Sequence, residues 1–399
     1  MSNALHPVDE VVDWLLSRAK ATDQSIVKSL DTALGLYLYL DICSPLDVPP
    51  AANSAMDGYA AAHGSLEVGG VYEVSDRIPA GTMGQTLKSG TLARIFTGAP
   101  VPEGADTVVM QENTTDLGDG KVQINEIPEL TGNVRPRGQD IEQGEVILAR
   151  GHRLKPQDLA LIASVGLAEV EVYRPLIIAI MSTGDELVEP PGVLRPGQIY
   201  NANRYALAGL IRGLGMEVLD LGLVADTPEA TRETLRRGAL SSDCILSTGG
   251  VSVGDEDYVR AAVESMGSLD IWRLAIKPGK PLAYGSVSGT PFFGLPGNPV
   301  STFVTFMMIA RPYLIATQGG NTPKAKYFYG VADFSFSAGN RREYLRTKIQ
   351  RDESEEVSLS KYSNQGSGIM SSVSWADALA EVEIGQQITP GDKIKYYLI

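Results

Sequence analysis

The first periodicity along the chain is helical. Val8, Val11, Val12, Leu15 and Leu16 share one face of residues 8–20 with acids between them, which predicts a helix packed by that face. From about residue 46 the texture changes to short alternating runs, VYEVSDRI, LARIFTG, DTVVMQE and KVQINEI, separated by Gly and Pro. These predict a compact β domain extending to about residue 137. Residues 138–174 return to a helix entered at Pro156 and an alternating strand, AEVEVYR. If that segment packs with the N-terminal helix, the β domain is an insertion within a discontinuous one.

Between 175 and 320 apolar runs alternate with amphipathic ones. LIIAIMS precedes NRYALAGLIRGLG, MEVLDLGLV precedes PEATRETLRRGAL, and DCILST precedes YVRAAVESM. That alternation implies right-handed crossovers and a mostly parallel sheet. Two strand ends, Ser182-Thr183-Gly184 and Ser247-Thr248-Gly249, echo one another and belong on the same edge, while IWRLAI reads as a further strand. Beyond about 325 the short runs YFYGVADFSF, EYLRTKIQ, EVSLSKY and KIKYYLI fit a small β barrel or sandwich. The expected fold is multidomain, α/β and β. Residues 1–45 and 138–174 form a discontinuous α+β domain, 46–137 an inserted β domain, 175–324 a central α/β domain with a mostly parallel sheet, and 325–399 a C-terminal small β barrel.

Composition narrows the class. Hydrophobic residues make up 43% and no run of eighteen apolar residues stands out, which fits a soluble globular chain. The N-terminus carries acids where a secretory signal would carry bases, so a cytoplasmic location is expected. Net charge, 34 − 48 = −14, argues against nucleic acid or anionic membrane as the main partner. Cys43 and Cys244 lack a second Cys or His at metal-ligand spacing and read as core thiols, while His6, His63 and His152 read as ordinary surface residues.

Chemistry concentrates in a few segments. Gly249-Gly250-Val251-Ser252-Val253-Gly254 lies between a predicted strand and a predicted helix, where backbone amides can approach a phosphate; Gly249, Gly250, Ser252 and Gly254 are the candidates. A plain tight turn capped by Asp257 is the competing reading. Asp255, Glu256 and Asp257 add negative charge there, which suits a phosphate only if a divalent cation bridges them, and Mg²⁺ prefers such a mixture of carboxylate, phosphate and water. Glu186 and Asp226 follow other strands on the same edge, although Asp226-Thr227-Pro228 also reads as a helix start. Lys277-Pro278-Gly279-Lys280 sets two lysines on a stiff backbone, suited to an oxyanion or else an exposed turn. Pro296-Gly297-Asn298-Pro299-Val300-Ser301 opens an apolar helix and is either an anion site or a rigid connection. Arg135 to Asp140, with Arg137 and Asp140 as candidate ligand contacts, is a guanidinium pair or a solvated linker. NSAMDGYA and FTGAPVP read as loops on physics alone.

Taken together, NSAMDGYA, RIFTGAPVPEGAD, STGDEL, STGGVSVGDEDY, KPGKPLAYG, GLPGNPVS and QGSGI resemble, in order and spacing, the molybdopterin molybdenumtransferases, the MoeA family that includes the E domain of gephyrin. The resemblance covers nearly the whole chain and implies a MogA-like α/β unit. It further implies insertion of molybdate into adenylylated molybdopterin with Mg²⁺-dependent release of AMP. It also implies a homodimer whose cleft is shared between one subunit's α/β domain and the partner's second domain, and dealings with other molybdenum cofactor biosynthesis proteins. Carried over by position, Asp257, Glu186 and Asp226 fall on catalytic and Mg²⁺ positions, Asp57 and Thr97 on second-domain catalytic positions, and Lys277, Lys280, Pro296 and Pro299 on ligand-pocket positions. Arg346 and Ser367 match residues linked to molybdate or pterin. Ala51-Ala52, Ala61-Ala62 and Gln139 depart from the family pattern near the second-domain wall. The alternatives are a molybdopterin adenylyltransferase using ATP, which would lack the flanking domains, and a non-catalytic scaffold of the gephyrin type.

Overall fold

The computed structural model describes residues 5–250, 258–351 and 356–399, so Ser252, Gly254 and Asp257 lie outside the described residues. At its centre is a six-stranded sheet ordered Glu217–Val224, Ile177–Thr183, Cys244–Thr248, Thr290–Leu295, Pro281–Val287, Gly267–Arg273. The first four strands are parallel, and the last two are added antiparallel. The period-two side-chain alternation splits the apolar run from 177 between two cores. Ile178 and Ile180 face the helix Ala202–Gly213 through Leu207 and Ile211. Ala179 and Met181 face Leu235 of Pro228–Ser241 and Val259 and Val263 of Tyr258–Met266. The two echoing strand ends are neighbours, with Ser182 opposite Thr248.

The stretch Pro299–Thr317 is helical, and by length and composition alone it could cross a membrane, which the sequence reading did not anticipate. Here 78% of it is buried, and the N-terminal helix Val8–Leu16 packs on it through the face predicted from its periodicity. Pro312 has no N–H for the carbonyl of Met308, and the chain widens to a π turn over Phe306–Ala310 just ahead of it.

IWRLAI is divided between two sheets. The edge strand ends at Arg273, the Leu274 N–H turns to the Lys280 carbonyl at 2.7 Å, and Ile276–Lys277 pairs in parallel with Arg342–Arg351 of the C-terminal region. There, Arg342–Arg351, Val357–Lys361, Phe328–Ala332, Lys393–Leu398 and Ala378–Val382 close back on the first strand, making a barrel rather than a sandwich. The runs from 58 to 124 form another six-stranded sheet. Its flanks come together where Ser25–Ser29 pairs with Glu169–Tyr173 and Ile42–Cys43 with Val146–Leu148. In the short strand Ile42–Cys43, alternation buries Ile42 and turns Cys43 outward, so Cys43 is not the core thiol expected; Cys244 is.

Candidate functional site

At the carboxyl edge of the central sheet, a cleft of ≈ 410 Å³ brings together segments distant in sequence. One wall is the Gly249-Gly250 turn. Both glycines have positive φ, +86° and +67°, and a Cβ on Gly250 would lie 2.4 Å from Val259 Cγ2, so only glycine fits. A second wall is the loop Lys277 to Pro281, where Gly279 has φ +110°. Pro296, Gly297, Asn298 and Ser301 form the third, held by a bond from the Thr302 hydroxyl to the Pro296 carbonyl. Asn203 Nδ2 adds a bond to the Gly297 carbonyl at 2.7 Å.

The fourth wall comes from the barrel: Arg341, Gln365, Gly366 and Ser367. It is fastened to the α/β unit in two places, by the Ile276–Lys277 pairing and by the Val300 N–H donating to the Ser367 carbonyl at 3.0 Å. One of the amides expected to serve an anion at this helix start is therefore occupied by the protein itself. Lys277 Nζ is likewise engaged, 3.0 Å from the buried carboxylate of Glu343. Among the described residues no hydrogen bond or ion pair engages the Lys280 ammonium or the Ser301 and Ser367 hydroxyls. The described lining includes no Cys, His, Asp or Glu side chain, so what it supplies is cations and hydroxyls, with no thiol, imidazole or carboxylate beside them.

Seven of the sequence-derived candidates thus meet in one cavity: Gly249, Gly250, Lys277, Lys280, Pro296, Ser301 and Ser367. Pro299 is adjacent, at the first position of the helix. Glu186 and Asp226 are exposed just beyond Thr183 and Val224, which are paired in register, so they follow neighbouring strand ends on the sheet's carboxyl edge, outside the described cleft lining. Among the described residues no three His, Cys, Asp or Glu side chains converge as a metal cluster.

Arg346 departs from its expected place in the pocket. It is 1% exposed, and its guanidinium donates to Ser372 Oγ at 3.1 Å, the Tyr344 carbonyl at 3.0 Å and the Gly366 carbonyl at 3.4 Å. It lies in the buried stretch of Arg342–Arg351, from residue 343 to 347, where it braces the Gln365-Gly366 wall from behind. Burial, partly opposed by Glu343, pulls its pKa down to about 10, so it stays charged at neutral pH.

The remaining candidates lie elsewhere on the chain. Arg137 bonds to Asp47, and Asp140 is an exposed residue whose backbone N–H bonds the Val48 carbonyl. Asp57 and Thr97 form one unit on the 58–124 sheet region: Asp57 Oδ1 accepts the Thr97 N–H at 2.8 Å and its hydroxyl at 2.7 Å. These two donors, the amide first, hold the Asp57 carboxyl below its usual range. Sequence reasoning missed Arg341, and it gave no role of their own to Asn298 and Gln365 inside the motifs it quoted. Arg341 stands beside another arginine, directly ahead of the strand Arg342–Arg351, and nothing in the sequence separates the two.

Fold and cleft together define a multidomain α/β protein with a cleft at strand ends that is lined by lysines, an arginine and hydroxyls and walled on one side by a β barrel. The chain matches the MoeA N-terminal region (domain I and II) over residues 6–166, the probable molybdopterin binding domain over 179–316 and the MoeA C-terminal region (domain IV) over 331–399. It is 37% identical over 367 residues to the molybdopterin molybdenumtransferase of Haemophilus influenzae, covering 91% of each chain. It is 34% identical over 391 residues to that of a Nostoc species, covering 95% of this chain and 89% of the other. The molybdopterin biosynthesis MoeA protein of Pyrococcus horikoshii superposes with a TM-score of 0.86 at 25% identity, covering 99% of this chain and 100% of that one. The chain belongs to the MoeA family of molybdopterin molybdenumtransferases and is an enzyme.

Proposed function

We propose that this enzyme of molybdenum cofactor biosynthesis inserts molybdate into adenylylated molybdopterin, releasing AMP in a Mg²⁺-dependent reaction in the cytoplasm. The observation that carries the reading is the cleft itself: its size falls in the range of small-ligand sites, roughly 300–1,000 Å³. Lys280, Ser301 and Ser367 offer it donors that no other described residue engages. In this role Lys280 and the two hydroxyls hold a tetrahedral oxyanion in place. Gly249 and Gly250 let the backbone approach a phosphate, and Lys277, ion-paired with Glu343, holds an ammonium at the rim whose charge that carboxylate offsets.

Glu186 and Asp226 suit a divalent cation only with a further ligand, which Asp257 or a substrate phosphate would supply. When bound, Mg²⁺ neutralises charge on the phosphoanhydride oxygens. Asp57 and Thr97 are not among the described residues that line the cleft of their own chain, which favours a homodimer in which a second copy brings them to the site. Substrates and products would pass to and from other proteins of cofactor biosynthesis. An adenylyltransferase is disfavoured by the matched N- and C-terminal regions, and a scaffold by the unengaged donors of the cleft.

AMP release from adenylylated molybdopterin separates the readings. The proposal expects release that requires molybdate and Mg²⁺ and falls at least about 100-fold in a folded Asp257→Asn variant. Undiminished turnover in that variant, or turnover that needs ATP and ignores molybdate, would rule it out.

A further inference from the structure

Between the two cleft lysines the chain turns onto the helix Pro299–Thr305. Lys277 and Lys280 are exposed, whereas Pro278 and Gly279 are buried. A Cβ on Gly279 would lie 2.5 Å from Thr305 Oγ1, 3.5 Å from the Ser301 carbonyl oxygen and 3.8 Å from Ser301 Cβ. Ser301 and Thr305 are one turn apart on the same helix face, so the glycine rests on both. Ser301 belongs to the cleft lining, while Thr305, 0% exposed, is not among the described residues of that lining. Helical threonines commonly return the hydroxyl to the carbonyl one turn earlier. Thr302 does so, 3.1 Å from the Asn298 carbonyl. Thr305 does not: among the described residues its hydroxyl has no hydrogen-bond partner, and it faces Gly279. A buried hydroxyl without a partner destabilises a fold, and valine would fill much the same space without that cost. The loop is already tied at both ends, by Lys277 to Glu343 at 3.0 Å and by the Leu274 N–H to the Lys280 carbonyl at 2.7 Å. Those ties leave open the height of its apex, and Thr305 is what the apex stands on.

We propose that Thr305 is a positioning residue for the lysine loop: its hydroxyl, packed under Gly279, sets the height of the apex and with it the place from which Lys280 enters the cleft. This rests on the reading of the cleft as the reaction site. A hydroxyl oxygen is smaller than a methyl group, so the glycine approaches it more closely than it could approach valine, and a Cα–H···O contact is the polar interaction this geometry offers. Any lift of the apex passes directly to Lys280, the next residue, and small misplacements of groups around a reaction site cost rate steeply. The hydroxyl is thus kept for the loop above it, at the expense of the core around it.

The test compares full-length wild type, Thr305→Val, Thr305→Ser and Lys280→Ala. Molybdate-dependent AMP release from adenylylated molybdopterin, thermal melting, and the rate at which an amine-reactive ester acylates Lys280, read by peptide mass, are measured on each. Thr305→Val keeps the shape and removes the hydroxyl. It is expected to melt at or above the wild-type temperature, yet to lose about tenfold in kcat/KM and to change the Lys280 acylation rate by about twofold or more. Thr305→Ser keeps the hydroxyl and removes a methyl group, so it should melt lower while retaining turnover and acylation rate. A threonine that only fills the core would give the reverse, with activity following melting temperature, and that result overturns the proposal. Wild-type turnover and acylation in Thr305→Val overturn it as well. If Lys280→Ala keeps full turnover, or wild type releases no AMP, the reading of the cleft fails instead. The acylation rates then decide on their own: a changed rate in Thr305→Val with a wild-type rate in Thr305→Ser supports the positioning of the loop by Thr305, and any other pattern ends it.

Discussion

Arg341 and Arg342 show how little of a residue's task is written in its type. Both are arginines in a run of polar residues, and nothing local distinguishes them. Once the strand is paired, one faces Asp9 and Glu383 and the other faces the cleft. The cysteines make the same point and can be checked simply. Cys244 is buried in the central sheet, where desolvation pushes its thiol far up, whereas Cys43 is exposed. An aromatic disulfide reagent should label Cys43 rapidly in the folded protein and reach Cys244 only after denaturation. Rapid labelling of both thiols without denaturant would contradict the packing around Cys244. Neither outcome was legible from composition, because burial of a thiol depends on which side of its strand it occupies.

At the scale of elements the sequence was more informative. The run from Ile177 to Thr183 and its echo ending at Thr248 were recognisable because each is a local apolar run followed by turn residues, and such signals survive folding. The division of IWRLAI was not recognisable, since Ile276–Lys277 is recruited by a strand more than sixty residues away. Joining the GG turn to its neighbours also took three dimensions. Gly250 combines a positive φ with contact to Val259 and Thr183, whereas a Cβ on Gly297 would meet nothing within 4 Å. Gly250→Ala should therefore lower the unfolding free energy by about 1–3 kcal/mol, from the left-handed backbone and the displaced Val259. Gly297→Ala should stay within about 0.5 kcal/mol of wild type. Urea unfolding of the two variants is the measurement, and equal stabilities would show that the turn is not packed as described.

Across the whole molecule, the cleft exists because two units share backbone hydrogen bonds. The central sheet sends out the lysine loop, the barrel receives it by strand pairing, and the Val300 to Ser367 bond closes the other side. The motifs were visible separately, and only the structure shows that seven of the residues they contain line one cavity. Arg346 belongs to the same assembly in a different capacity, bracing the wall on which Gln365 and Gly366 stand. The most direct measurement is a crystal soaked with molybdate and AMP and examined at the molybdenum absorption edge. The account expects anomalous density inside the cleft, with molybdate oxygens on Lys280, Arg341 or Ser367 and Asp57 and Thr97 of a second copy facing it. Molybdenum bound reproducibly elsewhere on the chain, with these side chains untouched, would contradict it.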